Sequence, residues 1–197
     1  MSFDSKRKKI ILVTIITFVI NFGLDRLTKI LAVEFLKGNP PKSFLGGIFK
    51  LIYAENTGAF LSMGANFPIV LKYILLAIIP ILVCLWGLYW CLFKEKDTFR
   101  CVLFTSVIAG GLGNLLDRLF NSFRVIDFMN FGIGNLRTGI LNIADISITF
   151  GVLIFIVYDI FFAKDKLLAD EKKEKSIEPE ISVQNESSEK QDSTEEV

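Results

Sequence analysis

The chain has 197 residues, 52% of them apolar, and its mean hydropathy of +0.50 lies on the apolar side for a soluble domain. Net charge is only +1, with no basic stripe interleaved with aromatics, so nucleic-acid binding is not expected. Histidine is absent, which excludes Ser-His-Asp and Cys-His catalysis and the HExxH type of zinc site.

A helix crossing the hydrocarbon layer needs about 20 apolar residues, because only the chain itself can satisfy backbone polar groups there. Lys6, Arg7, Lys8 and Lys9 lead into the first such stretch, read as about 10–33. A basic start before an apolar run is also how a cleavable leader begins. Here Asp25-Arg26-Leu27-Thr28-Lys29 follows the run in place of a small-residue cleavage site, so the helix is expected to be retained. Asp25 and Lys29 share a helix face, acid before base; an interfacial ion pair and a site-shaping role are both open. Segment 37–68 opens with the turn signal Gly38-Asn39-Pro40-Pro41 and has strand-like character from Ile48 to Tyr53. It then carries Glu55-Asn56-Thr57-Gly58-Ala59-Phe60, by itself an ordinary turn.

The second span covers 69–93, interrupted only by Lys72. The third, about 101–118, ends in Gly110-Gly111-Leu112-Gly113-Asn114-Leu115-Leu116-Asp117-Arg118. Its glycines admit a close neighbour, and Asn114, Asp117 and Arg118 at i, i+3 and i+4 project from one face. The competing reading is a helix-packing patch capped by an Asp117–Arg118 pair. Segment 121–139 contains Val125-Ile126-Asp127-Phe128, where Asp127 alone reads as an ion-pair partner for Arg124. The fourth span, about 140–162, begins with Asn142 and Asp145, three apart on one face. Cys84, Cys91 and Cys101 lie in or beside apolar runs with no CxxC spacing, so they read as packing residues rather than disulfides or zinc ligands.

Basic residues cluster before span one, between spans two and three (Lys94, Lys96, Arg100) and after span four (Lys164, Lys166). The positive-inside rule places these regions, and both termini, in the cytoplasm, with 37–68 and 121–139 outside. Residues 164–197 hold eleven acidic and six basic residues and few large apolar ones, and read as a disordered cytoplasmic tail beyond a domain of residues 1–163.

Carboxylates and amides in a bilayer are costly, so those at the outer ends of the spans point to function. Without histidine, and without an evident metal cage, two carboxylates can hydrolyse an amide. Close together at low dielectric they cannot both ionise; one takes a proton from water and the other donates to the carbonyl oxygen and then the leaving nitrogen. Asp127 and Asp145, brought together at the outer mouth of the bundle, are the expected pair.

The series Asp25-x-x-Thr-Lys29, Asn56-Thr-Gly58-Ala, Gly110-Gly-x-Gly-Asn114-x-x-Asp117-Arg118, Val125-Ile-Asp127-Phe128 and Asn142-x-Ala144-Asp145 resembles the motif set of the lipoprotein signal peptidases (signal peptidase II). Leu141 stands where family members often have Phe, and Ala-Phe-Leu-Ser replaces the commoner Ala-Ala-Phe-Ser after Gly58. The resemblance implies an all-α membrane protein, a bundle of four transmembrane helices with a small extracytoplasmic β-sheet and a short amphipathic helix. It implies an aspartic endopeptidase, needing no metal or cofactor, that cleaves prolipoproteins before a diacylglyceryl-modified cysteine. Asp127 and Asp145 become its catalytic pair, with Asp25, Lys29, Asn56, Gly58, Asn114, Asp117, Arg118 and Asn142 in support. Partners would be prolipoproteins and membrane lipids, and the protein a monomer of the bacterial cytoplasmic membrane with its site on the outer side. Two rival functions follow from the residues alone. One is a metal-dependent lipid phosphotransferase using Asp117, Asp127 and Asp145. The other is a non-catalytic subunit or transporter with buried charges.

Overall fold

The computed structural model of the chain describes residues 3–59 and 63–163. Four helices are long and apolar enough to cross a membrane. Helix α1 runs Phe3–Leu36, which at 1.5 Å per residue exceeds the roughly 30 Å hydrocarbon layer and carries its last turns beyond it. The second span is compound: α2 (Ile69–Tyr73), a π-helical turn (Ile74–Ile78) and α3 (Ile79–Phe93). Pro80 accounts for the irregularity. Its ring crowds the carbonyl four residues back, at Leu76, and its missing N–H breaks the regular ladder. Helix α4 covers Thr98–Phe120 and α5 Ile143–Tyr158. About half of α4 is buried, against less than a fifth of each other span, so α4 is the central helix of the bundle. Its start is set locally: Asp97 accepts hydrogen bonds from the N–H groups of Phe99 and Arg100.

A four-stranded antiparallel sheet covers one end of the bundle, in the order β1 (Lys42–Phe44), β2 (Phe49–Asn56), β3 (Val125–Ile133) and β4 (Leu136–Arg137). The strand expected at Ile48–Tyr53 is β2, and the connection that contains Asp127 forms a strand as well, β3. Register slips between Leu51 and Ala54, so that Ala54 faces Asp127 and Asn56 faces Val125. Ala32 and Leu36 at the end of α1 pack with Phe128 and Met129 of β3, fastening the sheet to the bundle. At the opposite end the Arg7 guanidinium donates to the carbonyls of Leu92, Phe93 and Glu95, closing the end of α3.

One expected boundary needs adjustment. The fourth span begins at Ile143 rather than 140, because Leu141 pairs with Met129 of β3 and Asn142 caps the helix. The described external residues also include a 3-10 turn at Leu45–Gly47 and turns over 63–66, while residues 60–62 of the segment expected to carry the short amphipathic helix lie outside the described residues. The structure divides into two compact units, Met1–Phe155 and Ile156–Val197; the second comprises, among described residues, the end of α5 and a π-helical turn at Asp159–Ala163. The expected tail, 164–197, lies outside the described residues.

Candidate active site

Lys29 is fully buried, one helical turn after Asp25, and its ammonium is shared three ways. It lies 3.0 Å from Asp25 Oδ2, 2.9 Å from Asp117 Oδ2 and 2.9 Å from Asn114 Oδ1. Asp117 Oδ1 also accepts from Arg26 at 2.6 Å. Two cations and two anions thus cancel where an unpaired charge would be prohibitive. Each acid then reaches a further element. Asp25 Oδ1 accepts the N–H of Ala144 at 3.0 Å, at the start of α5, where the helix dipole favours an anion. Asp117 Oδ2 accepts the N–H of Ile126 at 3.1 Å, holding the first residues of β3. The interfacial pair that the sequence left open is therefore a buried hub joining α1, α4, α5 and β3.

The α4 glycines make this approach possible. A Cβ on Gly113 would collide with the Asp25 carboxylate, and one on Gly110 would lie 2.6 Å from the Ala144 carbonyl oxygen.

Asn142 joins the two proposed catalytic aspartates. Its side-chain oxygen accepts the Asp145 N–H at 2.9 Å, and Asp145 Oδ2 accepts the Asn142 N–H at 3.2 Å, a reciprocal cap on α5. Its amide nitrogen donates to Asp127 Oδ1 at 2.7 Å and to Asn114 Oδ1 at 3.0 Å. The sequence placed Asn142 on the helix face beside Asp145; it stands one residue before the helix, which turns its amide toward β3. Asp127 Oδ2 accepts from Asn56 at 3.1 Å, and Asp145 Oδ1 from Asn114 at 2.9 Å. All four carboxylate oxygens therefore have an N–H donor. Lys29 fixes the sense of the Asn114 amide: by donating to Oδ1 it leaves Nδ2 for Asp145. Burial, and then the negative charge of Asp145, push the Asp127 carboxyl up to about 7 despite its two amide donors.

Asn56 also shapes the loop beyond β2, accepting the Gly58 N–H at 2.9 Å and donating to the Ala59 carbonyl. Arg118 reaches from α4 to the Gly58 carbonyl at 2.7 Å and to the Asn114 carbonyl at 3.3 Å. It does not pair with Asp117. Beside it lies a cavity of about 410 Å³, polar at Asp145, Asn114 and Arg118 and apolar along Leu75, Leu76, Pro80 and Ile148. The irregular turn above Pro80 thus forms part of the wall.

Every residue expected at the site, namely Asp25, Lys29, Asn56, Gly58, Asn114, Asp117, Arg118, Asp127, Asn142 and Asp145, belongs to this connected network. Arg124 pairs with Glu55 at 2.8 Å, not with Asp127. Asp117 is engaged by Arg26 and Lys29, so it is not free to join Asp127 and Asp145 as the phosphotransferase reading requires. Two contributors escaped the sequence reading. Arg26 gives a signal, since an arginine inside an apolar span demands an acidic partner. The clamp in which Glu55 meets Arg124, Lys37 and Tyr53 gives none, because its members are ordinary surface residues.

The family described as Signal peptidase (SPase) II matches residues 16–162. The lipoprotein signal peptidase of Borrelia hermsii (strain HS1 / DAH) is 35% identical over 165 residues, covering 81% of this chain and 95% of the relative. That of Borreliella burgdorferi (strain ZS7) is 36% identical over 173 residues, covering 85% and 99%. A bacterial membrane enzyme solved by the in meso method superposes with a TM-score of 0.62 at 24% identity, over 78% of this chain and 90% of its own, and shares the fold. The chain belongs to the signal peptidase II family of bacterial multi-pass membrane peptidases, which are of the aspartic type.

Proposed function

We propose that the protein is an endopeptidase that removes the signal peptide of a prolipoprotein just before its diacylglyceryl-modified cysteine, with Asp127 and Asp145 activating water. The observation that carries this reading is the Asn142 bridge. One buried amide holds the Asp127 carboxylate and caps the helix that presents Asp145.

The pair shares one proton in the active state. The ionised carboxylate takes a proton from water as the water oxygen adds to the scissile carbonyl carbon. The protonated carboxyl gives its proton to the carbonyl oxygen. Collapse of the tetrahedral adduct breaks the C–N bond, and a proton passes to the leaving nitrogen, so the net change is addition of water across the amide. With Asp127 near 7, the singly protonated pair is available at neutral pH without metal assistance. Arg118 and Asn114 stand at the polar end of the cavity, placed to hold substrate carbonyls, and the apolar wall suits a lipid-bearing substrate. One chain supplies both aspartates, so a monomer suffices. The distribution of lysine and arginine supports an orientation with both termini in the cytoplasm and the site outside.

The test incubates purified protein with a diacylglyceryl-modified prolipoprotein. Asp127→Asn and Asp145→Asn are each expected to lose cleavage by about 10²–10⁴-fold or more while remaining folded. Substantial turnover by either variant removes that residue from the pair. Full loss of cleavage together with loss of folding in both points instead to a structural charge lock.

A further inference from the structure

The bundle has a second charged recess, at the end remote from the aspartates. The first turns of α1 meet the α3–α4 link there, and Lys6, Arg7, Ile10, Glu95 and Lys96 enclose a cavity of about 120 Å³. Its back wall is held by hydrogen bonds. Arg7 spends its guanidinium on three carbonyls at the end of α3. Glu95 accepts the N–H groups of Lys96 and Asp97 and faces Arg100 at 3.8 Å, so its carboxylate is already committed. Ile10, 2% exposed, forms the floor and packs on Cys91 and Cys101, which ties the recess to the joint of α1, α3 and α4. By contrast, the ammonium groups of Lys6 and Lys96 have no partner among the described residues. The lining carries three cations against one anion.

We infer that this recess binds the phosphate of an anionic phospholipid, with Lys6 and Lys96 as its ligands and Arg7 supplying fixed positive charge behind them. The chemistry is that of a phosphate ester held by two flexible ammonium groups beside an immobilised guanidinium. Position selects the source. The recess lies where α1 and α4 enter the apolar layer, so a lipid headgroup reaches it with its chains still in the bilayer. At about 120 Å³ the cavity is of a size to take the phosphate group itself. Basic recesses between membrane helices favour anionic lipids in this way, and each basic residue near such a surface contributes about tenfold or less to affinity. The assignment is independent of the aspartate chemistry.

The test uses the full chain in neutral detergent. Short-chain phosphatidylglycerol, short-chain phosphatidylcholine and inorganic phosphate are added separately, with thermal unfolding and native mass spectrometry as readouts. Phosphatidylglycerol is expected to raise Tm and to stay bound, whereas phosphatidylcholine and free phosphate do neither at equal concentration. The double variant Lys6→Gln/Lys96→Gln is expected to weaken phosphatidylglycerol binding at least tenfold with its lipid-free Tm unchanged. The control, Lys9→Gln/Lys94→Gln, removes the same charge from the same end of the bundle but outside the recess, and is expected to lose less than threefold. Equal losses in the two double variants, or no loss in either, would reduce the recess to part of a diffuse basic collar and overturn the assignment. A shift produced as well by inorganic phosphate would overturn the lipid as its occupant.

Discussion

Asp127 is 2% exposed and accepts two amide donors, yet its carboxyl is displaced upward to about 7. Loss of hydration on burial, and then repulsion from Asp145 at low dielectric, together outweigh the two amide dipoles of Asn56 and Asn142. The sign of the consequence follows. The acid form of Asp127 persists in the folded protein well above its ordinary value of 3.8, so the stability linked to it is complete below that value and is lost as pH rises from there through about 7. In the proposed mechanism cleavage requires one proton on the pair, so the rate should fall along an alkaline limb near pH 7. The Asn56 bond lowers the Asp127 value; Asn56→Ala should therefore move that limb upward while reducing the maximal rate. A pH–rate profile of both proteins checks this, and an unmoved limb would assign it to another group. Glu55, the residue before Asn56, behaves oppositely. Arg124, Tyr53 and Lys37 hold it down at about 2, so it stays ionised and clamps β2 to the turn before β3 throughout the working range.

The start of α5 shows how one helix terminus serves two ends. Asn142 and Asp145 form a capping box, and the orientation that this cap imposes sends the Asn142 amide to Asp127. Serine also caps helices but lacks the second donor. Asn142→Ser should therefore fold and unfold much as the parent does while losing most cleavage. Asn142→Ala should lose about 0.5–2 kcal/mol more through the missing cap. Thermal unfolding measured beside cleavage separates the two roles. Helix α4 makes the reciprocal contribution by what it omits. Gly110→Ala and Gly113→Ala should each cost about 1–3 kcal/mol, since the new methyl meets the Ala144 carbonyl in one case and the Asp25 carboxylate in the other. Gly111→Ala meets only the Cys84 sulfur at 3.2 Å and should be the mildest of the three in the same unfolding assay.

Taken together, the bundle has one end closed by a sheet and the charged hub, and the other by Arg7 and the α3–α4 link. The proposed orientation makes those ends respectively external and cytoplasmic. All three native cysteines are buried, so an introduced thiol reports alone. Ser43→Cys on β1 should react with a membrane-impermeant maleimide in intact cells, and Lys96→Cys only after permeabilisation. The reverse pattern would invert the topology and move the site to the cytoplasm.

Length and hydropathy were enough to locate four spans, because the bilayer imposes a long, contiguous apolar stretch that can be counted along the chain. The i, i+3 and i+4 spacings of Asn114, Asp117 and Arg118 were equally readable, since helical periodicity is local. The absence of histidine, together with carboxylates at the outer ends of the spans, brought Asp127 and Asp145 forward as partners. What no local pattern contained was the company these residues keep. Lys29 meets Asn114 across 85 positions and Asp25 meets Ala144 across 119, and such pairings exist only once helices pack. The same holds for Arg26 with Asp117, for the slipped register that sets Asn56 beside β3, and for Asn142 as a cap rather than a helical residue. A chain fixes its own short-range geometry through backbone sterics and the solvent around it. Which buried acid meets which base depends on the close approach of distant segments, and here that approach is governed by glycines and a hub of two acidic and two basic side chains.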